Sequence, residues 1–210
     1  MGKRLFDIAC AATALVLLSP VLLLVALWVR LDSPGPVLFR QQRVGRGGRP
    51  FAILKFRTMQ VNAEAAGLQI TVGRDPRVTR AGAWLRRSKL DELPQFFNVL
   101  RGEMSVVGPR PEVPRYVALY PAAQRATVLS VRPGITDLAS LAFRDEAGLL
   151  AASADPERTY VEQILPVKLR HACDYVQQRS LWLDLRIIAR TALAVLGWQG
   201  AAPPHGSAPP

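Results

Sequence analysis

Histidine and cysteine are nearly missing from these 210 residues, and each scarcity removes a class of chemistry. The two cysteines, Cys10 and Cys173, lie far apart, so neither a disulfide framework nor a zinc site is indicated. The two histidines, His171 in a helical stretch and His205 near the end, supply no Ser-His-Asp or Cys-His nucleophile system. Acid, base or nucleophilic work therefore falls mainly to carboxylates. These are themselves outnumbered: 16 Asp and Glu face 27 Lys and Arg, a formal charge of +11. Such an excess implies a partner rich in negative charge, whether nucleic acid, anionic lipid or a phosphorylated substrate. Only 7% of residues are aromatic, without a cluster at base-stacking spacing, and 50% hydrophobic content is high for a nucleic-acid binder. Nucleic acid is set aside on that ground. The chain has no internal repeat, and its length suits one domain with a core plus a membrane segment and a short tail.

What is present begins with Ile8 to Val29, 22 residues without a charge. As straight helix they would measure about 33 Å, against a hydrocarbon thickness of roughly 30 Å. Pro20, preceded by Ser19, sits at the centre, where proline removes a backbone donor and displaces the Val16 carbonyl from its bond. A bend is predicted there. Lys3 and Arg4 precede the run and Arg30 follows it, so a helix folded back at Ser19-Pro20 keeps both basic ends on the cytoplasmic side. A straight anchor, a buried core helix and a signal peptide compete with this reading, the last lacking a small-x-small cleavage site before Arg30.

Arg30 to Arg57 holds seven basic residues and one acid, Asp32, and should face anionic headgroups or phosphates. Within it Val37-Leu38-Phe39 and Phe51 to Phe56 read as the strands of a small hairpin around the mobile loop Gly45 to Arg49. Helices are predicted over Thr58–Ala66, Thr79–Arg87, Val113–Leu129, Tyr160–Gln178 and Leu181–Leu196, with a loop or short strand from Arg132-Pro133-Gly134 through Phe143. The last helix places Leu181, Leu185, Ile188, Ala192 and Val195 on one face and Arg179, Arg186 and Arg190 on another, as a helix lying flat in the headgroup region does; packing on a core explains the pattern equally well. The fold class that results is α+β, mostly helical with a small β-hairpin. It divides into a re-entrant membrane helix over residues 1–30, a cytoplasmic catalytic domain over 31–199 with amphipathic interfacial helices, and a disordered tail over 200–210.

The centre of chemical interest is Asp91-Glu92, an acidic pair preceded by Arg86, Arg87 and Lys89 and followed by the turn Gly108 to Pro111. Carboxylates among guanidinium groups suit a metal-assisted diphosphate site. Ser88 to Asp91 also fits a capping box for a helix running to about Leu100, in which the pair would be first-turn acids facing the helix dipole. Both readings hold together, since the same helix end favours negative charge on a substrate.

Six strings in order carry a family likeness: Lys3-Arg4-Leu5-Phe6-Asp7, Ser33-Pro34-Gly35-Pro36, Lys55-Phe56-Arg57-Thr58-Met59, Leu90-Asp91-Glu92-Leu93-Pro94-Gln95, Gly108-Pro109-Arg110-Pro111 and Arg132-Pro133-Gly134-Ile135-Thr136. Together they resemble the bacterial sugar transferases known as monotopic phosphoglycosyl transferases, in the small form without an extra multi-span domain. The resemblance implies transfer of a phosphosugar from a UDP-sugar to polyprenyl (undecaprenyl) phosphate, releasing UMP, at the cytoplasmic face of the bacterial inner membrane. That would be the first membrane step of an exopolysaccharide, O-antigen, capsule or glycoprotein glycan.

By the same resemblance Asp91 is the nucleophile that forms a covalent phosphosugar-aspartyl enzyme, and Glu92, beside it, holds Mg2+, with Mn2+ as a substitute. Lys55, Arg57, Arg86, Arg110 and Arg132 are the candidates to neutralise the diphosphate. Arg110, between Pro109 and Pro111, would lie near the nucleotide, and Arg86 and Lys55 near phosphate. The family often has glycine after Arg-Pro-Gly-Ile-Thr, whereas Asp137 follows here, which bears on donor preference. Anionic membrane lipid is an expected partner, and a homodimer is left open. The rivals are a non-catalytic basic membrane module of the glycan machinery and a metal-dependent sugar-nucleotide hydrolase.

Overall fold

A computed structural model describes residues 2–61, 70, 72–73, 75–143 and 146–195. The uncharged run forms two helices, α1 (Gly2–Leu17) and α2 (Ser19–Asp32), which meet at 64°. The bend lies where proline demands it. The carbonyl of Val16, denied its usual donor at Pro20, accepts from the Ser19 hydroxyl at 2.8 Å, so the break leaves no orphan acceptor there. No single helix among the described residues is long and apolar enough to cross a membrane; the bent pair is the one candidate. Ala11, Val25 and Val29 point inward and are buried, whereas Val16, Leu17, Leu23 and Leu24 around the bend are each about 70% exposed. A contiguous apolar surface of that kind marks a contact with lipid or protein.

Both ends of the bent pair are fastened to the body of the protein. Asp7 is buried and accepts from the Ser105 hydroxyl and the Val106 amide, while Lys3 reaches Asp184 at 2.7 Å. Arg4 donates to the Val99 and Leu100 carbonyls. At the other end Arg57 donates to the carbonyls of Pro34 at 2.7 Å, Ser33 at 2.7 Å and Val29 at 3.3 Å, closing the last turn of α2. Burial pushes the Arg57 guanidinium below its ordinary pKa, but these acceptors hold it in place. Arg57→Ala is therefore expected to lower the unfolding free energy by about 3 kcal/mol, the worth of two charge-assisted bonds, in a denaturant titration in detergent micelles.

The body is built on two small strand pairs. Strands β1 (Leu38–Val44) and β2 (Pro50–Phe56) pair antiparallel, Leu38 opposite Phe56 and Val44 opposite Pro50, and the connection turns through Gly47 and Gly48, both at positive φ. Strands β3 (Ser105–Val107) and β4 (Gly134–Thr136) pair in parallel, an arrangement the sequence reading did not contain. It depends on glycine: a Cβ on Gly134 would stand 2.1 Å from the Gly108 nitrogen.

The helices around these strands are α3 (Arg80–Ser88), α4 (Gln95–Arg101), α5 (Pro114–Val117), α6 (Ala122–Val128), α7 (Leu138–Ala142), α8 (Glu146–Ala151), α9 (Pro156–Thr159), α10 (Leu165–Gln178) and α11 (Leu181–Val195). They support the expectation of a mostly helical chain and correct it in detail. The helix predicted over Thr58–Ala66 does not begin at Thr58, since Met59 bridges Val78 in extended conformation; its later residues lie outside the described residues, as does the predicted tail 200–210. Pro121 divides the helix predicted over Val113–Leu129 into α5 and α6. Phe143 is preceded by a helix, α7, which Asp137 caps by accepting from the Ser140 amide at 2.7 Å. On α11, Asp184 and Ile187 are the buried positions, while Leu181, Trp182 and Leu185 point outward, Trp182 with 77% exposure, so of the two readings left open the apolar residues Leu181 and Leu185 do not pack on the core.

Candidate active site

The acidic pair sits on a tight turn and not at the head of a long helix. Helix α3 ends at Ser88, Lys89 takes the left-handed conformation at φ 59°, and Leu90–Glu92 form a single 3-10 turn before α4. The expected capping box is not made, because the Ser88 hydroxyl donates back to Trp84 and Leu85 of its own helix. The turn aims both carboxylates at a cavity of about 1170 Å³ lined by β1, β2, α3, the Pro109-Arg110 segment, α7 and α10.

Although adjacent, the two acids are in opposite electrostatic states. Glu92 accepts from Lys55 Nζ at 2.8 Å and from Arg110, whose Nη1 lies 3.1 Å away and whose Nη2 is closer still. Burial alone would raise its pKa, but Arg110 and Lys55 outweigh burial and hold the carboxyl well below the ordinary carboxylate range. Asp91 is buried, and its Oδ1 has no hydrogen-bond partner. Desolvation pushes its pKa up against the opposing pull of Lys55, so its charge is poorly compensated without a ligand. A buried, poorly compensated carboxylate on the wall of a cavity is suited to attack.

The predicted cations divide into two groups. Lys55, Arg86 and Arg110 line the cavity with Asp91 and Glu92. Arg86 donates to the Thr58 hydroxyl at 2.8 Å, and burial pushes its guanidinium down. Arg110 is oriented from behind, since its backbone amide donates to Asp137 Oδ2 at 3.2 Å. Pro109 lines the cavity beside it; the Pro111 carbonyl accepts from Arg43 at 3.0 Å. Arg57 borders the cavity, but its Nη1 and Nη2 donate to the end of α2 as described above. Arg132 stands apart, donating to the Gly102 carbonyl at 2.8 Å.

Sequence reasoning missed a second polar wall of the same cavity. Tyr160 donates to Glu112 Oε1 at 2.5 Å, and Lys168 contacts Glu146 Oε2 at 2.5 Å and lies 4.8 Å from the Tyr160 ring centroid. Arg43 is 3.5 Å from Glu112 Oε2 and links this wall to the Pro109–Pro111 segment. Only the chain order Pro109-Arg110-Pro111-Glu112 hinted that Glu112 belongs here. Asp137, noted in the sequence as a departure, turns out to join β4, α7 and Arg110.

Among the described residues no group of three or more His, Cys, Asp or Glu comes together. Magnesium does not require one: it commonly takes one or two carboxylates and completes its shell with water and substrate phosphates. Asp91 can supply one such carboxylate, while both oxygens of Glu92 accept from Lys55 and Arg110 and would be shared with the ion.

The family model for bacterial sugar transferases matches residues 1–198. The chain is 42% identical over 198 residues to a UDP-glucose:undecaprenyl-phosphate glucose-1-phosphate transferase of Caulobacter vibrioides, covering 93% of this chain and 70% of that protein. It is 42% identical over 201 residues to a UDP-N-acetylgalactosamine-undecaprenyl-phosphate N-acetylgalactosaminephosphotransferase of Aeromonas hydrophila, covering 95% of this chain but 44% of that protein. An exopolysaccharide production protein of Rhizobium leguminosarum bv. phaseoli is 41% identical over 204 residues, covering 92% and 94%. With the match running through the bent helix pair, the acidic turn and the cavity alike, the chain belongs to the bacterial sugar transferase family.

Proposed function

We propose that the protein transfers a phosphosugar from a UDP-sugar to a polyprenyl phosphate, releasing UMP. The observation that carries the reading is Asp91, a buried and poorly compensated carboxylate on the wall of a cavity also lined by Lys55, Arg86 and Arg110. In the first step a carboxylate oxygen of Asp91 attacks the sugar-linked phosphorus, an O–P bond forms, and the bond to UMP breaks. In the second a phosphate oxygen of the acceptor attacks the same phosphorus and the Asp91 carboxylate leaves. Lys55, Arg86 and Arg110 offset the charge that opposes a carboxylate approaching a diphosphate. Glu92 and Asp91 would hold Mg2+ or Mn2+, which supplies further neutralisation of phosphate oxygens when bound.

The relatives' names support the substrates, since they specify UDP-sugars and undecaprenyl phosphate. Purified protein given UDP-glucose or UDP-N-acetylgalactosamine, undecaprenyl phosphate and Mg2+ is expected to release UMP and move sugar phosphate into the organic phase. Sugar phosphate left in water would mark a hydrolase, and liposome binding without turnover of any donor a non-catalytic module.

The bent pair is proposed as a re-entrant membrane hairpin, with the outward face of α11 lying at the headgroup level and the cavity on the cytoplasmic side. The return of both helix ends to the same body supports it, as does the apolar surface around Ser19-Pro20. Gly2→Cys and Arg40→Cys should each resist a thiol reagent applied from the periplasmic side. Labelling of either from outside would overturn the hairpin.

A further inference from the structure

The stretch that leaves β2 fastens a different part of the molecule at each step. Lys55 reaches Glu92 at 2.8 Å, Arg57 closes the last turn of α2, and Thr58 meets α3. Thr58 is buried and holds that helix at both ends. Its carbonyl accepts at 3.0 Å from the amide of Thr79, the residue that caps the start of α3, and its hydroxyl accepts at 2.8 Å from Arg86 Nε in the last turn.

A glycine inside α3 makes this approach possible. Gly82 lies four residues before Arg86, on the same face of the helix, and a Cβ there would stand 2.0 Å from the Thr58 carbonyl oxygen. Glycine is unfavourable within a helix, so the seat of α3 on Thr58 is kept at a cost to the helix itself.

The fastening matters because of where α3 leads. The helix ends at Ser88, Lys89 turns left-handed and the acidic turn follows at once, so the register of α3 on Thr58 fixes where that turn begins. Thr58, Arg86 and Asp91 all line the cavity. Burial pushes the Arg86 pKa down, and Asp91 is the largest charge acting against that shift, which puts the guanidinium within electrostatic reach of that carboxylate. A guanidinium on a long side chain keeps one geometry where its N–H groups meet fixed acceptors, and Thr58 Oγ1 is such an acceptor, on a backbone itself bonded to α3.

We propose that Thr58 is a positioning residue of the phosphosugar-transfer site, whose hydroxyl aims the Arg86 guanidinium at the phosphate that Asp91 attacks. This rests on the transferase reading above. Thr58 acts through Arg86 and does not itself touch substrate.

The experiment is a double-mutant cycle in the UMP-release assay, on wild type, Thr58→Val, Arg86→Met and the double variant, with Thr58→Ser as the conservative replacement. The donor is whichever of UDP-glucose and UDP-N-acetylgalactosamine the wild type uses. Thr58→Val keeps the branched shape without the acceptor, and its kcat/KM should fall about tenfold, as misplacement of a catalytic cation does. Thr58→Ser restores an acceptor and should recover most of that loss. In the Arg86→Met background Thr58→Val should cost nothing more, because the group it positions is gone.

The proposal is overturned, and phosphosugar transfer left standing, by any of three results: wild-type kcat/KM in Thr58→Val or Arg86→Met, the same loss from Thr58→Val in both backgrounds, or a Thr58→Ser protein no better than Thr58→Val. If Thr58→Val does not fold, Thr58→Ala takes its place with the same expectations. Loss of the fold in both would make the hydroxyl a structural group and overturn the proposal. Failure of wild type to release UMP from either donor would overturn the transferase reading, and the proposal with it.

Discussion

Asp91→Asn should lose at least about a thousandfold in UMP release, because the amide keeps the shape of the carboxylate and cannot attack phosphorus. Stability should move the other way. Asp91 is buried with an unpartnered oxygen, and its folded pKa is raised by desolvation. A raised folded pKa means that the folded state is favoured below the group's ordinary value of about 3.9, and that this advantage is lost as pH rises through the folded value. At neutral pH the charged aspartate therefore opposes folding. In protein free of divalent cation, Asp91→Asn should melt at or above the wild-type temperature at pH 7, and the difference should shrink on acidification. Wild-type turnover in the variant would remove Asp91 as nucleophile; a clear fall in Tm would mean that the carboxylate has a structural partner.

Arg110→Met is expected to do damage on both counts. It leaves Glu92 buried with Lys55 as its one remaining cation among the bonds described, and stranding a buried charge costs about 3 kcal/mol or more. It also removes a cation from the diphosphate site, for which a loss of about a hundredfold or more in kcat/KM is expected. The pH dependence has the opposite sign to that of Asp91. Glu92 has a depressed folded pKa, so its contribution is present above its ordinary value of about 4.3 and disappears as pH falls through the folded value. The stability gap between wild type and Arg110→Met should accordingly be full at pH 7 and close in acid. Denaturant titrations at a series of pH values check this, and a gap independent of pH would show that Glu92 is not what Arg110 stabilises.

The parts of the structure legible in the sequence are those with local causes. The bend at Ser19-Pro20 follows from one missing N–H, and the hairpin from a glycine loop between two apolar runs, although the first strand extends to Val44, beyond the three residues Val37 to Phe39 read from the sequence. The acidic pair was visible by its company, Arg86, Arg87, Lys89 and the turn Gly108 to Pro111, although the turn that presents it was misread. A capping box looks the same in sequence whether or not the chain turns left at Lys89. What could not be read depended on partners far along the chain. Three-residue strands at Ser105 and Gly134 are too short for periodicity to register, and their parallel pairing needs a close approach of Gly108 and Gly134. Arg57 and Arg110 are the same residue type in similarly basic strings, and only tertiary geometry sends one to the carbonyls of α2 and the other to Glu92. Glu112, Tyr160 and Lys168 converge across 48 and 56 residues of separation, each unremarkable in its own stretch.

The fastening of α1 by Asp7 and Lys3 bears on how this protein is made. Deleting the first helix would strip Ser105 and Val106 of their acceptor and leave Asp184, which is fully buried, without its ammonium. The apolar arm is thus a piece of the interior and not a detachable tether, so exchanging it for a generic transmembrane sequence should yield an insoluble chain. The parallel strand pair and the placement of the arm are therefore coupled in the folded protein, since β3 carries the donors that hold Asp7.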